Sequence, residues 1–323
     1  MNLKIFVTRP LPEQAIALLA AQADVEVYTQ DSPIPREQLI NACRDVDGLL
    51  VAGTRVTTEV LNAAPKLRAI STASVGYDNI DIAACTARRI PVTNAPGVLE
   101  ETTADLTFAL LLAVARRVVE GDRYVREGRW TEWKWGLLHG ANVHHKTLGI
   151  YGFGNIGRAV ARRGRGFSMR ILYHSRNRAP QAIEQELAAQ FVDRETLLRE
   201  SNFVSLHVPL TAETTHAIGA RELSLMKSSA FLINASRGKV VDEEALVEAL
   251  EKKQIAGAGL DVFEHEPKVH PKLLTMPNVV LQPHVGSATA ETRRKMAMLA
   301  AESLVALLAG RRPKHVVNPE VYT

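Results

Sequence analysis

Short apolar runs alternate with longer amphipathic stretches along the chain, and this pattern defines the predicted elements. The early apolar runs are residues 4–7, 25–28, 48–52 and 67–71, and residues 13–23, with helical spacing, separate the first two. The later runs are residues 148–151, 169–174, 203–207, 230–234, 256–261 and 279–282. Such alternation is typical of βαβ units and predicts an α/β protein with parallel sheets.

A long apolar stretch at residues 102–119 follows a turn cluster at residues 94–97 and predicts a single helix with acidic residues near its start. We place a domain boundary at this point. Because apolar residues cover most of the helix circumference, we expect burial on more than one side, either between domains or in an oligomer interface. This favours a homo-oligomer. A second long helix is predicted at residues 289–308.

The apolar run at residues 148–151 leads directly into a glycine motif and then into an Arg/Ala/Val-rich helical pattern. The motif consists of Gly152, Phe153, Gly154, Asn155, Ile156 and Gly157. This pattern predicts a strand, a phosphate-binding loop and a helix that together bind a dinucleotide. Gly152 would allow the tight turn, Gly154 would let the backbone approach the pyrophosphate, and Gly157 would let the helix and the strand pack closely. Glycines at this spacing can also merely end a strand. The strands predicted downstream favour the dinucleotide interpretation.

The next predicted strand, residues 169–174, ends in Ser175 and Arg176, and no acidic residue stands in this turn. An acid at this position binds the ribose 2′-OH of NAD, whereas an arginine accommodates the 2′-phosphate of NADP. Arg176 therefore favours NADP(H), with NAD(H) as the alternative. A solvated surface arginine is the other explanation.

Further polar or small residues follow the strands, where ligands of open parallel sheets bind. Arg237, Glu266 and His284 follow three successive predicted strands, so we expect them at one rim of the sheet. A carbonyl that receives hydride needs a proton donor such as histidine, a substrate carboxylate needs a cation, and a carboxylate can orient the imidazole. Each residue alone could be structural; together they predict catalysis on a 2-keto acid. The strand-end positions also include the candidate contacts Gly53, Pro209, Ala235, Ser236 and Gly286.

Composition and charge narrow the class of protein. The 323 residues are 46% apolar and 23% charged, and no segment approaches the roughly 20 apolar residues that span a bilayer. The net charge of +4 comes without any nucleic-acid-binding motif, and the ten histidines lack metal-ligand spacing. Cys43 and Cys85 are too few for a disulfide framework, which favours two buried thiols in the cytoplasm. We therefore predict neither a nucleic-acid nor a membrane partner.

All three tryptophans lie close together, at Trp130, Trp133 and Trp135, in a predicted loop before the glycine motif. They are either packing residues, or one of them caps an active site or crosses a dimer interface.

Five segments together resemble the D-isomer-specific 2-hydroxyacid dehydrogenase family, and the resemblance covers essentially the whole chain. They are residues 74–78 (SVGYD), 152–157 (GFGNIG), 234–238 (NASRG), 259–267 (GLDVFEHEP) and 283–287 (PHVGS). Within the family, residues 143–150 and 226–230 are similar to the bacterial glyoxylate/hydroxypyruvate reductase B group, also called 2-ketogluconate reductase.

The resemblance implies two Rossmann-like or flavodoxin-like domains with an active-site cleft between them. Residues 1–100 and 288–323 would form the substrate domain, and residues 101–287 the dinucleotide-binding domain. It makes Arg237 the substrate-binding arginine, His284 the acid/base and Glu266 its partner. It further implies that Val75 and Gly76 hold the substrate carboxylate, that Asp261 meets the nicotinamide amide, and that Trp133 of a homodimer reaches the neighbouring cleft.

The sequence thus predicts an NADPH-preferring reductase that converts glyoxylate, hydroxypyruvate or 2-ketogluconate to D-2-hydroxy acids. An NAD-dependent relative such as a phosphoglycerate dehydrogenase is the enzymatic alternative. A nucleotide-sensing protein, like the family's transcriptional corepressors, is the alternative without catalysis.

Overall fold

The computed structural model describes residues 3–323, which divide into two compact units. The first unit combines Met1–Leu99 with Ser287–Thr323, and the second is the continuous segment Glu100–Gly286. The assignment of these units to substrate and to dinucleotide stays a prediction.

The first unit begins with strands and helices in alternation. Its elements before residue 100 are β1 (Lys4–Val7), α1 (Glu13–Ala20), β2 (Asp24–Val27), α2 (Arg36–Ala42), β3 (Gly48–Val51), α3 (Thr58–Asn62), β4 (Ala69–Thr72), α4 (Ile82–Ala87) and β5 (Val92–Thr93). Side chains cap two of the short helices, because Thr57 accepts from the Val60 N–H and Asp81 from the Ala84 N–H.

The second unit repeats the alternation with a longer sheet. Its elements are α5 (Glu100–Ala115), α6 (Val118–Arg126), β6 (Thr147–Tyr151), α7 (Asn155–Gly166), β7 (Arg170–His174), α8 (Gln181–Leu187), β8 (Ala189–Phe191), α9 (Arg194–Glu200), β9 (Phe203–Leu206), α10 (Ala220–Leu225), β10 (Phe231–Asn234), α11 (Glu243–Glu251), β11 (Gly257–Leu260) and β12 (Val279–Leu281). The chain then returns to the first unit with α12 (Ala290–Leu308).

Both sheets are parallel, so the predicted α/β class is confirmed. The first unit has the five-stranded order β2-β1-β3-β4-β5, and α12 packs on α1, β3 and β4. The side chain of Asn318 also joins this unit, since it accepts from the Val92 N–H at 2.8 Å and donates to the Ile90 carbonyl at 2.9 Å.

The seven-stranded sheet has the order β12-β11-β10-β9-β6-β7-β8. Its strand order reverses between β6 and β9, and such a reversal opens a crevice at the carboxyl ends of the two strands. Alternate residues bury opposite faces: Phe203 joins the core under α5 and α7, whereas Val204 and Leu206 join the other core. The pairing of β6 with β9 thus positions the glycine motif beside the residues that follow β9.

The helix predicted at residues 102–119 is two helices, and this part of the prediction is wrong. The first, α5, ends at Ala115, and Arg117 adopts a left-handed backbone with φ of 54° before α6 begins. Packing within the second unit, against α7, β10, β11 and β12, buries much of α5. The burial of this helix therefore gives no support to an oligomer.

Within residues 3–323, every helix is too short or too polar to cross a membrane.

Candidate active site

The glycine motif forms the tight connection between β6 and α7. Gly152 has a φ of +98°, and a Cβ added to it would lie 2.5 Å from the backbone carbonyl of His207. A Cβ on Gly157 would lie 2.2 Å from the Gly152 oxygen, so this glycine permits the close contact of helix and strand. A Cβ on Gly154, by contrast, would meet nothing within 4 Å. The two crowded glycines shape the loop, and the third leaves one face of it open.

The open face lies at the N-terminus of α7, where Gly154 is the residue before the helix. The first backbone N–H groups of a helix have no acceptor inside it and favour an anion. Asn155, Ile156 and Gly157 supply these groups in the 12-residue helix α7. The motif therefore fits the pyrophosphate of a dinucleotide.

The turn after β7 lies at the neighbouring strand end. The Ser175 hydroxyl donates to the Asn177 carbonyl at 2.6 Å, and the Arg176 side chain is exposed. Pro209 is exposed in the loop after β9, where its carbonyl accepts from the Thr214 hydroxyl at 2.6 Å. The structure thus places these candidate cofactor residues at the carboxyl ends of β7 and β9.

Asn234 shapes the turn that carries Ala235, Ser236 and Arg237. Its buried amide accepts from the Ser236 N–H at 3.1 Å and hydroxyl at 2.9 Å, and donates to the Arg237 carbonyl at 2.9 Å. Gly238 then lies against the segment after β11, because a Cβ there would be 1.8 Å from the Phe263 oxygen. Arg237 is therefore carried by a turn fixed on both sides.

His284 and Glu266 form a hydrogen-bonded pair beyond β12 and β11. The His284 Nδ1 donates to Glu266 Oε2 at 2.8 Å, and the other oxygen, Oε1, accepts from the Phe263 N–H at 3.0 Å. Burial acts to raise the pKa of Glu266, but the His284 hydrogen bond and charge, the Phe263 N–H and the Arg237 charge together lower that pKa below its ordinary value. The carboxylate thus stays ionised and orients the imidazole.

Asp261 holds the backbone around His284. Its main-chain oxygen accepts from the His284 N–H at 2.8 Å, and its carboxylate accepts from the Val285 N–H at 2.7 Å and the Gly286 N–H at 2.8 Å. Burial raises the pKa of Asp261, against the opposing effect of these hydrogen bonds. Both carboxylate oxygens of Asp261 accept hydrogen bonds from the loop that carries His284. The sequence-based interpretation of Asp261 as a nicotinamide contact does not include this structural role.

The remaining substrate candidates lie in the first unit, where Gly53 follows β3 with a φ of +68° and Val75 and Gly76 follow β4. The Val75 carbonyl accepts from the Asn94 side chain at 2.7 Å and the Gly76 carbonyl from the Ser74 hydroxyl at 2.6 Å. Within the described chain, the N–H groups of Val75 and Gly76 donate to no protein acceptor. They are therefore available to an anion.

The tryptophans are not packing residues within one chain. Trp130, Trp133 and Trp135 are 57%, 73% and 82% exposed, and the rings of the last two meet edge to face at 6.0 Å. Their exposure gives no support to the packing alternative, and contact with a partner or a ligand stays a prediction.

The second unit thus brings Arg237, Glu266, Asp261 and His284 to adjacent strand ends, because β10, β11 and β12 are neighbours. The sequence interpretation included Asn234 in a family segment but gave it no role, although asparagine is favoured where a side chain must shape a turn. It also missed the short edge strands β5 and β8. No group of three metal-ligating side chains occurs among residues 3–323.

Comparison with known proteins identifies the family of the chain. Residues 108–286 match the NAD binding domain of the D-isomer specific 2-hydroxyacid dehydrogenases. The chain is 52% identical over 328 residues to the glyoxylate reductase of Thermococcus litoralis, covering 100% of this chain and 99% of that one.

Two solved structures show the same architecture. A protein of Thermus thermophilus is 44% identical with a TM-score of 0.91, covering 98% of this chain and 100% of that one. An NADPH-dependent glyoxylate/hydroxypyruvate reductase of Sinorhizobium meliloti, in complex with NADP and malonate, is 33% identical with a TM-score of 0.88. The match covers 99% of this chain and 98% of that one.

The chain belongs to the D-isomer specific 2-hydroxyacid dehydrogenase family. It is an NAD(P)-dependent oxidoreductase.

Proposed function

We propose that the protein is an NADPH-preferring reductase that converts small 2-keto acids to D-2-hydroxy acids. Glyoxylate and hydroxypyruvate are the proposed substrates, with 2-ketogluconate as a larger candidate. The observation that carries the proposal is the His284–Glu266 pair at 2.8 Å, beside the turn that presents Arg237. The relatives named glyoxylate reductases support the substrate class.

The proposed chemistry assigns one task to each of these side chains. Because Nδ1 of His284 donates to Glu266, Nε2 is the nitrogen left to give a proton to the developing oxyanion. Glu266 fixes the orientation of the ring, and the planar guanidinium of Arg237 binds the substrate carboxylate. The bound nicotinamide cofactor supplies the hydride.

Two loops of the first unit complete the proposed substrate contacts. The N–H groups of Val75 and Gly76 donate to the substrate carboxylate, and Gly53 contacts the substrate through its backbone. Their support is the pair of N–H groups that donate to no protein acceptor in the described chain.

The proposed cofactor contacts follow the carboxyl ends of the second sheet. Residues 152–157 hold the pyrophosphate, and Arg176 and Ser175 bind the 2′-phosphate. Asp261 binds the nicotinamide amide. The remaining proposed cofactor contacts are Pro209, Ala235, Ser236 and Gly286. The exposed Arg176, in a turn without acidic residues, supports the preference for NADPH. The NADP complex of the Sinorhizobium meliloti relative agrees with it.

The protein is further proposed to act as a cytoplasmic homodimer. The exposed tryptophans support the dimer, with Trp133 reaching the neighbouring active site. Two unpaired buried thiols, Cys43 and Cys85, agree with a reducing compartment.

The test is consumption of NADPH and NADH by the purified protein against glyoxylate, hydroxypyruvate, 2-ketogluconate and phosphohydroxypyruvate. We expect turnover of the small keto acids with a kcat/KM at least about tenfold higher for NADPH, the value of one charge-assisted hydrogen bond. Equal use of NADH, or a preference for phosphohydroxypyruvate, would favour the NAD-dependent alternative. Tight nucleotide binding without any turnover would identify a nucleotide sensor.

Arg237→Ala is expected to abolish measurable reduction while the Kd for NADPH stays within about twofold, because the lost charge faces the substrate. Arg199→Ala, which removes an exposed arginine of α9, is the matched control and should leave both quantities unchanged. Unchanged keto-acid reduction in Arg237→Ala would contradict the proposed site.

A further inference from the structure

The turn after β7 carries two arginines that differ in their surroundings. Arg178 donates through Nε and Nη2 to the two carboxylate oxygens of Glu184, each at 2.9 Å. Glu184 is 9% exposed and lies in α8. Arg176 is exposed and makes no hydrogen bond or close ion pair within the described chain, although its charge, after the hydrogen bond from Thr211, helps to lower the pKa of Glu213. The same turn therefore holds Arg178, which is hydrogen-bonded to a buried carboxylate, and Arg176, which makes no hydrogen bond within the described chain.

Tyr173 connects Arg178, through Glu184, to the interior of the unit. Its hydroxyl donates to Glu184 Oε1 at 2.5 Å and accepts from the Ala179 N–H at 2.9 Å, and its side chain is fully buried. The Arg178 hydrogen bond lowers the pKa of Glu184, with help from the Tyr173 hydroxyl. Glu184 is thus an ionised carboxylate that accepts from both ends of the turn.

Tyr173 also reaches the glycine motif. Its ring stacks on that of Phe153 with centroids 3.9 Å apart and an angle of 20° between the planes. Phe153 is 3% exposed and stands between Gly152 and Gly154. One continuous set of contacts therefore joins the proposed pyrophosphate loop, β7, the two-arginine turn and α8.

We propose that Arg178, Glu184 and Tyr173 are positioning residues: they hold the turn that carries Arg176, the residue assigned above to the cofactor 2′-phosphate. The proposal deepens the function proposed above and rests on its preference for NADPH. The Arg178 guanidinium already donates through Nε and Nη2 to Glu184, whereas Arg176 makes no hydrogen bond within the described chain, so more of the N–H groups of Arg176 are available to an added anion. A turn held in place before binding keeps Arg176 ordered, and this lowers the entropic cost of binding the phosphate.

Glu184→Gln separates this proposal from a direct role of Arg178. The substitution removes the carboxylate charge and releases the Arg178 fork, while the positive charge of Arg178 remains. If Arg178 positions the turn, NADPH binding weakens; if Arg178 binds the phosphate itself, its release leaves NADPH binding unchanged or makes it tighter.

The measurement is the Kd of NADPH and of NADH, taken from nicotinamide fluorescence without keto acid, so that no turnover is involved. We expect Arg176→Gln to weaken NADPH by about 10- to 100-fold and Glu184→Gln by about five- to tenfold, both with less than about twofold change for NADH. Glu186→Gln is the matched control, because this exposed glutamate of α8 pairs only loosely with Arg162, at 3.7 Å. It should leave both constants unchanged.

The double variant Arg176→Gln/Glu184→Gln tests whether Glu184 acts through Arg176. When two residues act in series, the second substitution adds nothing once the first is made. We therefore expect the double variant to bind NADPH like Arg176→Gln alone. A further loss of the full Glu184→Gln factor would overturn the positioning role.

Tyr173→Phe provides a second, milder probe, since it removes one hydroxyl and keeps the ring on Phe153. It should weaken NADPH selectively by about two- to fivefold, the value of one hydrogen bond, with an unchanged near-ultraviolet circular dichroism spectrum. An equal loss for both cofactors in Tyr173→Phe and Glu184→Gln would show a purely structural network and overturn the proposal. A wild-type protein that binds NADH as tightly as NADPH would instead refute the cofactor preference proposed above.

Discussion

At the scale of single residues, the pair of His284 and Glu266 depends on backbone held by a neighbouring strand. His284 has a left-handed φ of 55°, a conformation that costs free energy for a residue with a Cβ. The hydrogen bonds from the N–H groups of residues 284–286 to Asp261 stabilise this conformation. The imidazole is therefore placed by Asp261 through the backbone and by Glu266 through its ring.

Glu266→Gln should lower kcat for keto-acid reduction by about 10- to 100-fold, because a hydrogen bond to a charged group contributes about 1.5–3 kcal/mol. The Kd of NADPH should change by less than about twofold, since Glu266 is assigned to orienting the imidazole. Steady-state rates and fluorescence titration measure the two quantities. Partial recovery in Glu266→Asp would support the orienting role, and a kcat equal to that of the wild type in Glu266→Gln would exclude it.

A second histidine, His207, makes folding stability depend on pH. Burial lowers its pKa to about 3, and its Nδ1 is buried without a hydrogen-bond partner, while Nε2 lies 2.8 Å from the Ser205 hydroxyl. The unfolded chain binds a proton at His207 near pH 6.5, but the folded chain does so only near pH 3. The folded state therefore loses stability as pH falls from about 6.5 towards 3.

Between about pH 6.5 and 5, we expect His207 to contribute a loss of about 2 kcal/mol in the free energy of unfolding, at about 1.4 kcal/mol per pH unit. His207→Gln should be less stable than the wild type at about pH 7.5 but lack this part of the pH dependence. Urea unfolding of both proteins at several pH values measures the difference. Parallel curves for the two proteins would contradict the assignment.

At the scale of elements, the loop between β6 and α7 separates two uses of glycine. Gly152 is required by its positive φ and by the backbone of His207, whereas Gly154 faces open space with ordinary dihedral angles. The sequence motif assigns different roles to these two glycines, and the structure gives each the surroundings that its role requires.

Gly152→Ala should destabilise the protein by more than about 2 kcal/mol, because the backbone strain and the contact with His207 must both be relieved. Gly154→Ala should cost at most about 1 kcal/mol, the value of a weakened helix cap, yet weaken NADPH binding by about tenfold or more where the pyrophosphate approaches. Thermal unfolding and fluorescence titration report the two effects. Gly154→Ala with wild-type NADPH affinity would place the pyrophosphate elsewhere.

Most strands and helices of the parallel sheets could be predicted from apolar runs, because a buried strand is apolar on both faces. The end of α5 could not, since Val118 and Val119 continue the apolar pattern although the chain turns at Arg117. The exposure of those valines, like that of the tryptophans, depends on what packs nearby in space. A single sequence does not contain that information in any local pattern.

The residues of the candidate site likewise fall into those that the sequence indicates and those that only the structure identifies. The placement of Arg237, Glu266 and His284 at neighbouring strand ends could be predicted, because each closely follows a strand of apolar residues. The roles proposed for Glu184 and Tyr173 could not, because the hydrogen bonds of Glu184 to Tyr173 and Arg178 arise only when the folded chain brings α8 beside the end of β7. The family motif marks Asp261 as a site residue, but its bonds to the loop of His284 are visible only in the structure.

At the scale of the whole molecule, the proposed homodimer would join two active sites through the tryptophan segment. Trp133→Ala should raise the KM for the keto acid by about 3- to 10-fold, the value of one aromatic contact, with the NADPH Kd unchanged. Trp130→Ala, which removes an exposed tryptophan of the same segment that makes no ring contact with Trp133 in the described chain, is the control and should leave KM unchanged.

Sedimentation equilibrium should give twice the chain mass of 35.4 kDa for the wild type and both variants. Mixing Trp133→Ala with His284→Ala should restore activity at low keto-acid concentration, because one site of each mixed dimer then has both residues. A monomeric wild type, or no restoration on mixing, would contradict the shared site.

The way the chain leaves and re-enters the first unit has a consequence for its synthesis on the ribosome. The second unit is one continuous segment, so all of its strands are available once residue 286 has emerged. The first unit lacks α12 and the Asn318 contacts to β5 until residues 287–318 follow. We therefore expect the second unit to fold first, although it is synthesised later. The strands of the first unit would keep apolar surface exposed until α12 is synthesised and packs on them.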